Sequence, residues 1–351
     1  MEYKLETYLQ SVCQESAQYE DLWATWVLNK RACSDALKEV VLRYPHFSMH
    51  DASHAEAVTA KIEMILGNRI AALSPTDTWL LLHAAYAHDL GMVVLWDEIT
   101  ELWEKAEFQT YLKSLQSSHE IELRKAADFL LKKENIAKVS SWPLETYRSV
   151  GLVISTYFRG RHAQMSKSYI QTSMAGLDLD LGHSNRIQPR LIKLLARICQ
   201  LHTEPSEKIL ELEFQTNGYR SDYAHPRFIA VLLRLGDLLD VDNGRFNATG
   251  ERAIGGLPES SVKHKEKHEA TTHLLVTPEE IEFCSDCPTQ QAYQETRSFI
   301  NLLENELDFF TKYWPDIVPE GFEGYAPRLR KKELLLNGTP DVEGVADLRN
   351  H

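Results

Sequence analysis

The sequence predicts a mainly α protein with one small β-hairpin and a long helix near its C-terminus. Three observations predict it. Apolar residues recur at three- and four-residue spacing through most of the chain up to about residue 245, the period of helices with one buried face. The Gly- and Asn-rich stretch "DNGRFNATGERAIGGLPES" interrupts that period, and "HEATTHLLVTPEEIEFCSD" then alternates around a Thr-Pro-Glu-Glu turn, as a hairpin does. The helical period returns in "QQAYQETRSFINLLENELDFFTKYW".

Taken in order, residues 1–34 form a helical extension and 35–250 the principal helical domain. "DLWATWVLNKRACSDALKEVVLRY" has the spacing of a packed surface helix. "HAEAVTAKIEMIL" follows Asp51 and Ser53, either of which can start it. "SPTDTWLLLHAAYAHDLGM" opens on Ser-Pro with Thr and Asp as caps, and Gly91 offers a left-handed stop. Residues from about 93 to 145 are more polar and form a helical insertion. "IELRKAADFLLKKENIAKV", "LETYRSVGLVISTYF", "RLIKLLARICQLH" and "PRFIAVLLRLGDLLDVD" are four further helices, with residues 171–190 a surface connection. Residues 251–320 hold the hairpin and the long helix, whose apolar face serves as core or as a surface for a second copy of the chain. Residues 321–351 show no sustained period and read as a docking arm or a partly disordered tail.

Composition narrows the function classes. The 351 residues are 43% hydrophobic and 25% charged, ordinary for a globular chain. A net charge of −13 argues against bulk binding of nucleic acid, although a local basic pocket for a phosphorylated small molecule can oppose the net sign. No run approaches the roughly 20 apolar residues that cross a bilayer, and the polar, acidic N-terminus is no secretory signal. Five scattered cysteines, an odd number, fit reduced thiols in a cytoplasmic protein.

The chemistry is carried by ionisable residues on apolar helices. "FSMHDASHAEAV" places His50 and His54 four apart, on one helical face. In "HAAYAHDLGM", His88 and Asp89 close an otherwise apolar helix; adjacent helical residues diverge by about 100°, so both reach one ion only at a helix end. In "VLLRLGDLLDVD", Arg234 and Asp240 each lie three residues from Asp237. His162 and His202 end further apolar helices. Any one of these has a bland reading: a hydrogen-bonded core histidine, a cap, or an Arg234–Asp237 ion pair. Together they form an imidazole and carboxylate set suited to one or two divalent metals (Mn, Fe, Zn, Ni, Co or Mg). His83, five positions before His88, falls off that face and reads as a packed or capping residue.

With those motifs in view, the chain resembles the HD superfamily of metal-dependent phosphohydrolases. The superfamily's His, His-Asp and distant Asp match His54, His88-Asp89 and Asp237. "YFRGRHAQMS" and the hairpin and helix after the final Asp are similar to the HD-CE type, found in bacterial proteins of stress or anti-phage function. The resemblance covers roughly residues 35–315. It implies an HD-domain helical core that holds metal through His54, His88, Asp89 and Asp237, with His162 and His202 able to complete a second ion. It also implies hydroxide attack on a phosphate ester or anhydride of a nucleotide or nucleotide-derived signal.

On that reading Asp89 or Asp237 orients the attacking water, His50 protonates the leaving group or caps its helix, and Arg159 and Arg161 hold phosphate oxygens. Arg234 is structural. The basic run "SVKHKEKHEATTH", with Lys263 and Lys267, is either a phosphate-binding lid or a solvated turn. His264 and His268 with Cys284 and Cys287 have the inventory of a structural zinc site. Two readings compete with hydrolysis: a nucleotide-binding sensor or accessory module on the same metal core, and iron-dependent oxidative chemistry.

Overall fold

The computed structural model describes residues 4–43, 51–132, 142–172, 179–183, 185–241, 251, 257–322, 324 and 327–340. Among them the chain is mainly α. The first helices are α1 (Lys4–Glu15), α2 (Glu20–Arg43), α3 (Ala52–Leu66) and α4 (Pro75–Ala87). Helices α5 (Trp96–Glu104), α6 (Ala106–Ser114) and α7 (Ile121–Leu131) occupy the expected insertion. They lead into α8 (Trp142–Arg159), α9 (His162–Thr172) and α10 (Pro189–Leu201). A two-residue ladder of β1 (Thr216–Asn217) and β2 (Tyr223–Ala224) precedes α11 (Pro226–Leu238). The C-terminal part comprises α12 (Glu259–Ala270), β3 (Thr271–Val276), β4 (Glu280–Cys287), α13 (Gln290–Tyr313), β5 (Arg328–Leu336) and β6 (Thr339–Pro340). No helix among the described residues is long and apolar enough to cross a membrane.

Helix α4 is the axis of the core. Ser74 caps it, accepting from the Asp77 amide at 2.9 Å, Pro75 occupies its first turn, and every residue from Thr76 to Ala87 is buried. A helix apolar on all sides must be surrounded, and α1, α2, α3, α10 and α11 pack around it. Its C-terminal end, where His88 and Asp89 stand, is therefore inside the bundle. His83, also within α4, is packed as expected: Nδ1 donates to the Trp79 carbonyl at 2.8 Å, and Nε2 accepts from the Asn29 amide at 2.9 Å.

Gly91 is not a left-handed stop. The positive-φ glycines among the described residues do not include it, and α4 ends instead on a 3-10 turn, Leu90–Met92. A Cβ at Gly91 would lie 2.0 Å from the His162 carbonyl oxygen and 2.6 Å from the Ser166 amide nitrogen. The glycine is there so that α9 can touch the turn.

The C-terminal part departs from expectation twice. The hairpin forms as expected, with Thr277 N–H bonding the Glu280 carbonyl at 2.9 Å across the turn. The basic run before it is the helix α12 and not a turn, braced by Lys265 between Glu251 and Glu269 and ending on Lys267 and His268, which suit a helix C-terminus. Residues 328–336, within the expected arm, form a third long strand. β5 lies parallel to β4, and α13 supplies the crossover that a parallel pair requires. The apolar face of α13 is core: Phe299, Ile300, Leu303, Leu307 and Phe310 are buried.

Candidate metal centre

Five helix termini bring six side chains together. Asp51 caps α3, accepting from the Ser53 amide at 2.9 Å, which places His54 in its first turn. His88 is the C-cap of α4, its backbone angles still helical, and Asp89 turns away with φ −101° and ψ 5°. That departure lets neighbouring residues face one point. His162 opens α9, His202 closes α10, and Asp237 lies in the last turn of α11. His54, His88, Asp89 and His202 are buried, while the Asp237 side chain is the most open at 32% exposed.

The Asp89 carboxylate divides the cluster. Its Oδ2 lies 3.5 Å from Nε2 of both His54 and His88. Its Oδ1 lies 3.4 Å from Nε2 of His162 and 3.9 Å from Nε2 of His202. Asp237 Oδ1 joins the first half, 3.3 Å from His54 Nε2 and 3.9 Å from His88 Nε2.

Hydrogen bonding on the far side of each ring sets what faces inward. The Nδ1–H of His88 donates to the Ala85 carbonyl at 3.0 Å, that of His162 to Arg159 at 2.7 Å, and that of His202 to Cys199 at 2.5 Å. His54 Nδ1 donates to the Asp240 carboxylate at 2.6 Å. Carbonyls and carboxylates only accept, so each ring carries its proton on Nδ1 and turns an Nε2 lone pair to the centre.

Those lone pairs stand 3.2 Å apart between His54 and His88, and 2.9 Å apart between His162 and His202. Without a proton between them the contacts repel, and a shared cation relieves them. Donors held about 2.0–2.1 Å from one ion are separated by about 2.9–3.4 Å for angles between square and tetrahedral. The donor set and its spacing fit one or two divalent metals. Among the described residues, the ligand atoms that all lie within 4.8 Å of one another belong to His54, His88 and Asp237 in one group and His88, Asp89 and His202 in another.

Electrostatics agree. Burial, reinforced by His88 and His162, pushes the His202 imidazole down to about 3 and keeps it neutral. Burial alone would raise the Asp237 carboxyl, but the surrounding His54, His88 and His202 outweigh it and hold the group below the usual carboxylate range.

The remaining residues singled out in the sequence lie around this centre or away from it. His50 lies outside the described residues. The Arg159 guanidinium reaches Nε2 of His264 on α12 at 3.4 Å, which brings that basic helix beside the end of α8 whose last carbonyl accepts from His162. Burial, with Arg159 and Lys267 nearby, pushes His264 down to about 4, so it accepts from Arg159 as a neutral ring. Lys267 also stands 4.8 Å from the centre of the Phe299 ring. Arg161 points to the insertion, bonded to Glu107 at 3.1 Å and stacked 3.9 Å over Tyr157.

The zinc inventory does not come together. Cys284 and Cys287, three apart on β4, project to opposite faces; the Cys287 thiol donates to Thr296 Oγ1 at 3.5 Å, and neither metal-competent group contains a cysteine. Arg234 is structural, as expected, but its anionic partner is Glu306, not Asp237.

Sequence reasoning met two residues that shape the site without giving them a role in it. Ser166 donates to the His88 carbonyl at 2.5 Å and accepts from the Gly91 amide at 2.8 Å, tying α9 to the turn. Asp240 stands behind His54; its place one helical turn past Asp237 was the available signal.

A family model described as HD-CE matches residues 44–308. No curated protein and no solved structure matches the chain.

Proposed function

This chain belongs to the HD-CE family, and from that membership and the two-sided Asp89 carboxylate we propose a metal-dependent phosphohydrolase acting on a nucleotide or nucleotide-derived signal. The observation that carries the reading is Asp89 itself, with one oxygen toward His54 and His88 and the other toward His162 and His202. A buried carboxylate among inward-facing imidazole lone pairs suits two cations better than a packed core.

His54, His88 and Asp237 would hold one ion, His162 and His202 the other, with Asp89 shared. When bound, such ions supply Lewis acidity toward a phosphoryl oxygen and toward the attacking water. Asp89 and Asp237, which accept only, orient that water by hydrogen bonding, and His50 protonates the leaving oxygen. Substrate reaches the centre on the open side of Asp237. Arg159, with Lys263 and Lys267 on α12, would receive phosphate oxygens, a local cationic group on an acidic protein. A phosphate contact from Arg161 requires displacing Glu107.

The test is turnover of Mn²⁺-loaded protein with a panel of NTPs, dNTPs and cyclic dinucleotides. The reading predicts release of phosphate, pyrophosphate or triphosphate, lost in His88→Ala and Asp89→Ala. Nucleotide binding without turnover supports a sensor instead, and iron-dependent oxygen uptake supports oxidation.

A further inference from the structure

His54 is gripped from both sides by one turn of α11 and the residues after it. Asp237 Oδ1 lies 3.3 Å from its Nε2. Asp240 Oδ2 lies 2.6 Å from its Nδ1, and both side chains of that contact are nearly sealed, 3% and 1% exposed. A buried carboxylate costs more than the apolar residue that could fill the same space, so its presence is accounted for by what it does to the ring it touches.

We propose that Asp240 is a positioning residue of the metal centre, holding the His54 proton on Nδ1 and fixing the ring so that Nε2 faces the cation. The inference rests on the metal-dependent reading above. It also ranks the ligands. His88, His162 and His202 donate from Nδ1 to backbone carbonyls, whereas His54 donates to a carboxylate. An anionic partner raises the basicity of the opposite nitrogen and thereby its strength as a ligand. His54 is accordingly the strongest imidazole donor of the four, and the half-site of His54, His88 and Asp237 fills first.

Two measurements test this. The first needs no metal: two-bond ¹H–¹⁵N spectra of the imidazoles in metal-free full-length protein. Wild type should show His54 protonated at Nδ1, Asp240→Asn should keep that tautomer because the carboxamide oxygen still accepts, and Asp240→Ala should shift population to Nε2–H. The second is titration with Mn²⁺ alone. Asp240→Ala should weaken the tight site by about 10–100-fold, Asp240→Asn by less, and Asp240→Ala added to His54→Ala should weaken it less than about twofold further.

An unchanged tautomer in Asp240→Ala, or a full additional loss on top of His54→Ala, overturns the assignment. If Asp240→Ala does not fold, Asp240→Asn decides: weakened Mn²⁺ binding with the tautomer kept supports the role, and wild-type affinity overturns it. Wild-type protein that binds no Mn²⁺ defeats the metal reading instead, and the tautomer spectra then judge Asp240 alone.

Discussion

Gly236 stands against the backbone of α3: a Cβ there would lie 3.0 Å from the Val58 carbonyl oxygen and 2.8 Å from Ile62 Cγ1. The residue before Asp237 thus sets how near α11 comes to the helix that carries His54. Gly236→Ala should push the two helices apart, at a cost of about 1–3 kcal/mol for overpacking, and widen the gap between Asp237 and His54. Urea denaturation and Mn²⁺ titration should both register it. Loss of stability with intact metal affinity would break the link between this contact and the site.

Ser166, four residues after His162 on α9, joins the two halves of the centre, since it bonds both the His88 carbonyl and the Gly91 amide. Ser166→Ala leaves a buried amide without that acceptor, a penalty of about 1–3 kcal/mol. The damage should fall on the half that α9 supplies. Metal analysis should find bound manganese reduced from two ions per chain toward one, whereas a uniform fall at both sites would contradict the assignment.

Arg234 and Glu306 form a buried pair between α11 and α13, and the same guanidinium bonds the carbonyls of Leu201, His202 and Glu204. Arg234 therefore fixes the end of α10 on which His202 sits. Glu306→Gln should cost about 3–5 kcal/mol, because it strands a buried cation. Arg234→Met with Glu306→Leu should recover much of that stability but not His202 function, the carbonyls having lost their donor. Full recovery of activity in the double variant would argue against the role.

Protonation should set the acid limit of stability. Burial pushes His83 down to about 3, with its bond to the Trp79 carbonyl opposing and His183 adding. Its unfolded value is about 6.5, so between these limits the unfolded chain binds the extra proton. The stability from the neutral ring is complete above about pH 6.5 and declines as pH falls toward 3. The urea midpoint of metal-free protein should drop between about pH 6.5 and 4.5, less steeply in His83→Gln. Parallel slopes would exclude His83 as the source.

Much of the site was readable because its residues break a local rule: His88, Asp89 and Asp237 are polar intrusions in apolar helices, and each intrusion is visible within a few residues. The partners of those residues were not, because they are set by tertiary contact. Nothing near Asp240 says that it faces His54, 186 positions earlier, and Gly91 looked like a stop because close approach by α9 leaves no trace in local spacing. The same limit explains the C-terminal part. "RLRKKELLL" does not alternate, and it becomes a strand by pairing with β4 across the α13 crossover. "ESSVKHKEKHEA" has almost no apolar face, so its helix was invisible to periodicity and is held by charge pairs and by α13.

The central claim is that imidazoles and carboxylates from α3, α4, α9, α10 and α11 share two ions across one aspartate. Anomalous diffraction from crystals of the full chain grown with Mn²⁺ tests it most directly. Two manganese peaks are expected, one against His54, His88 and Asp237 and one against His162 and His202, with Asp89 between them. Manganese bound elsewhere, or a refined cluster holding none at saturating Mn²⁺, would contradict it.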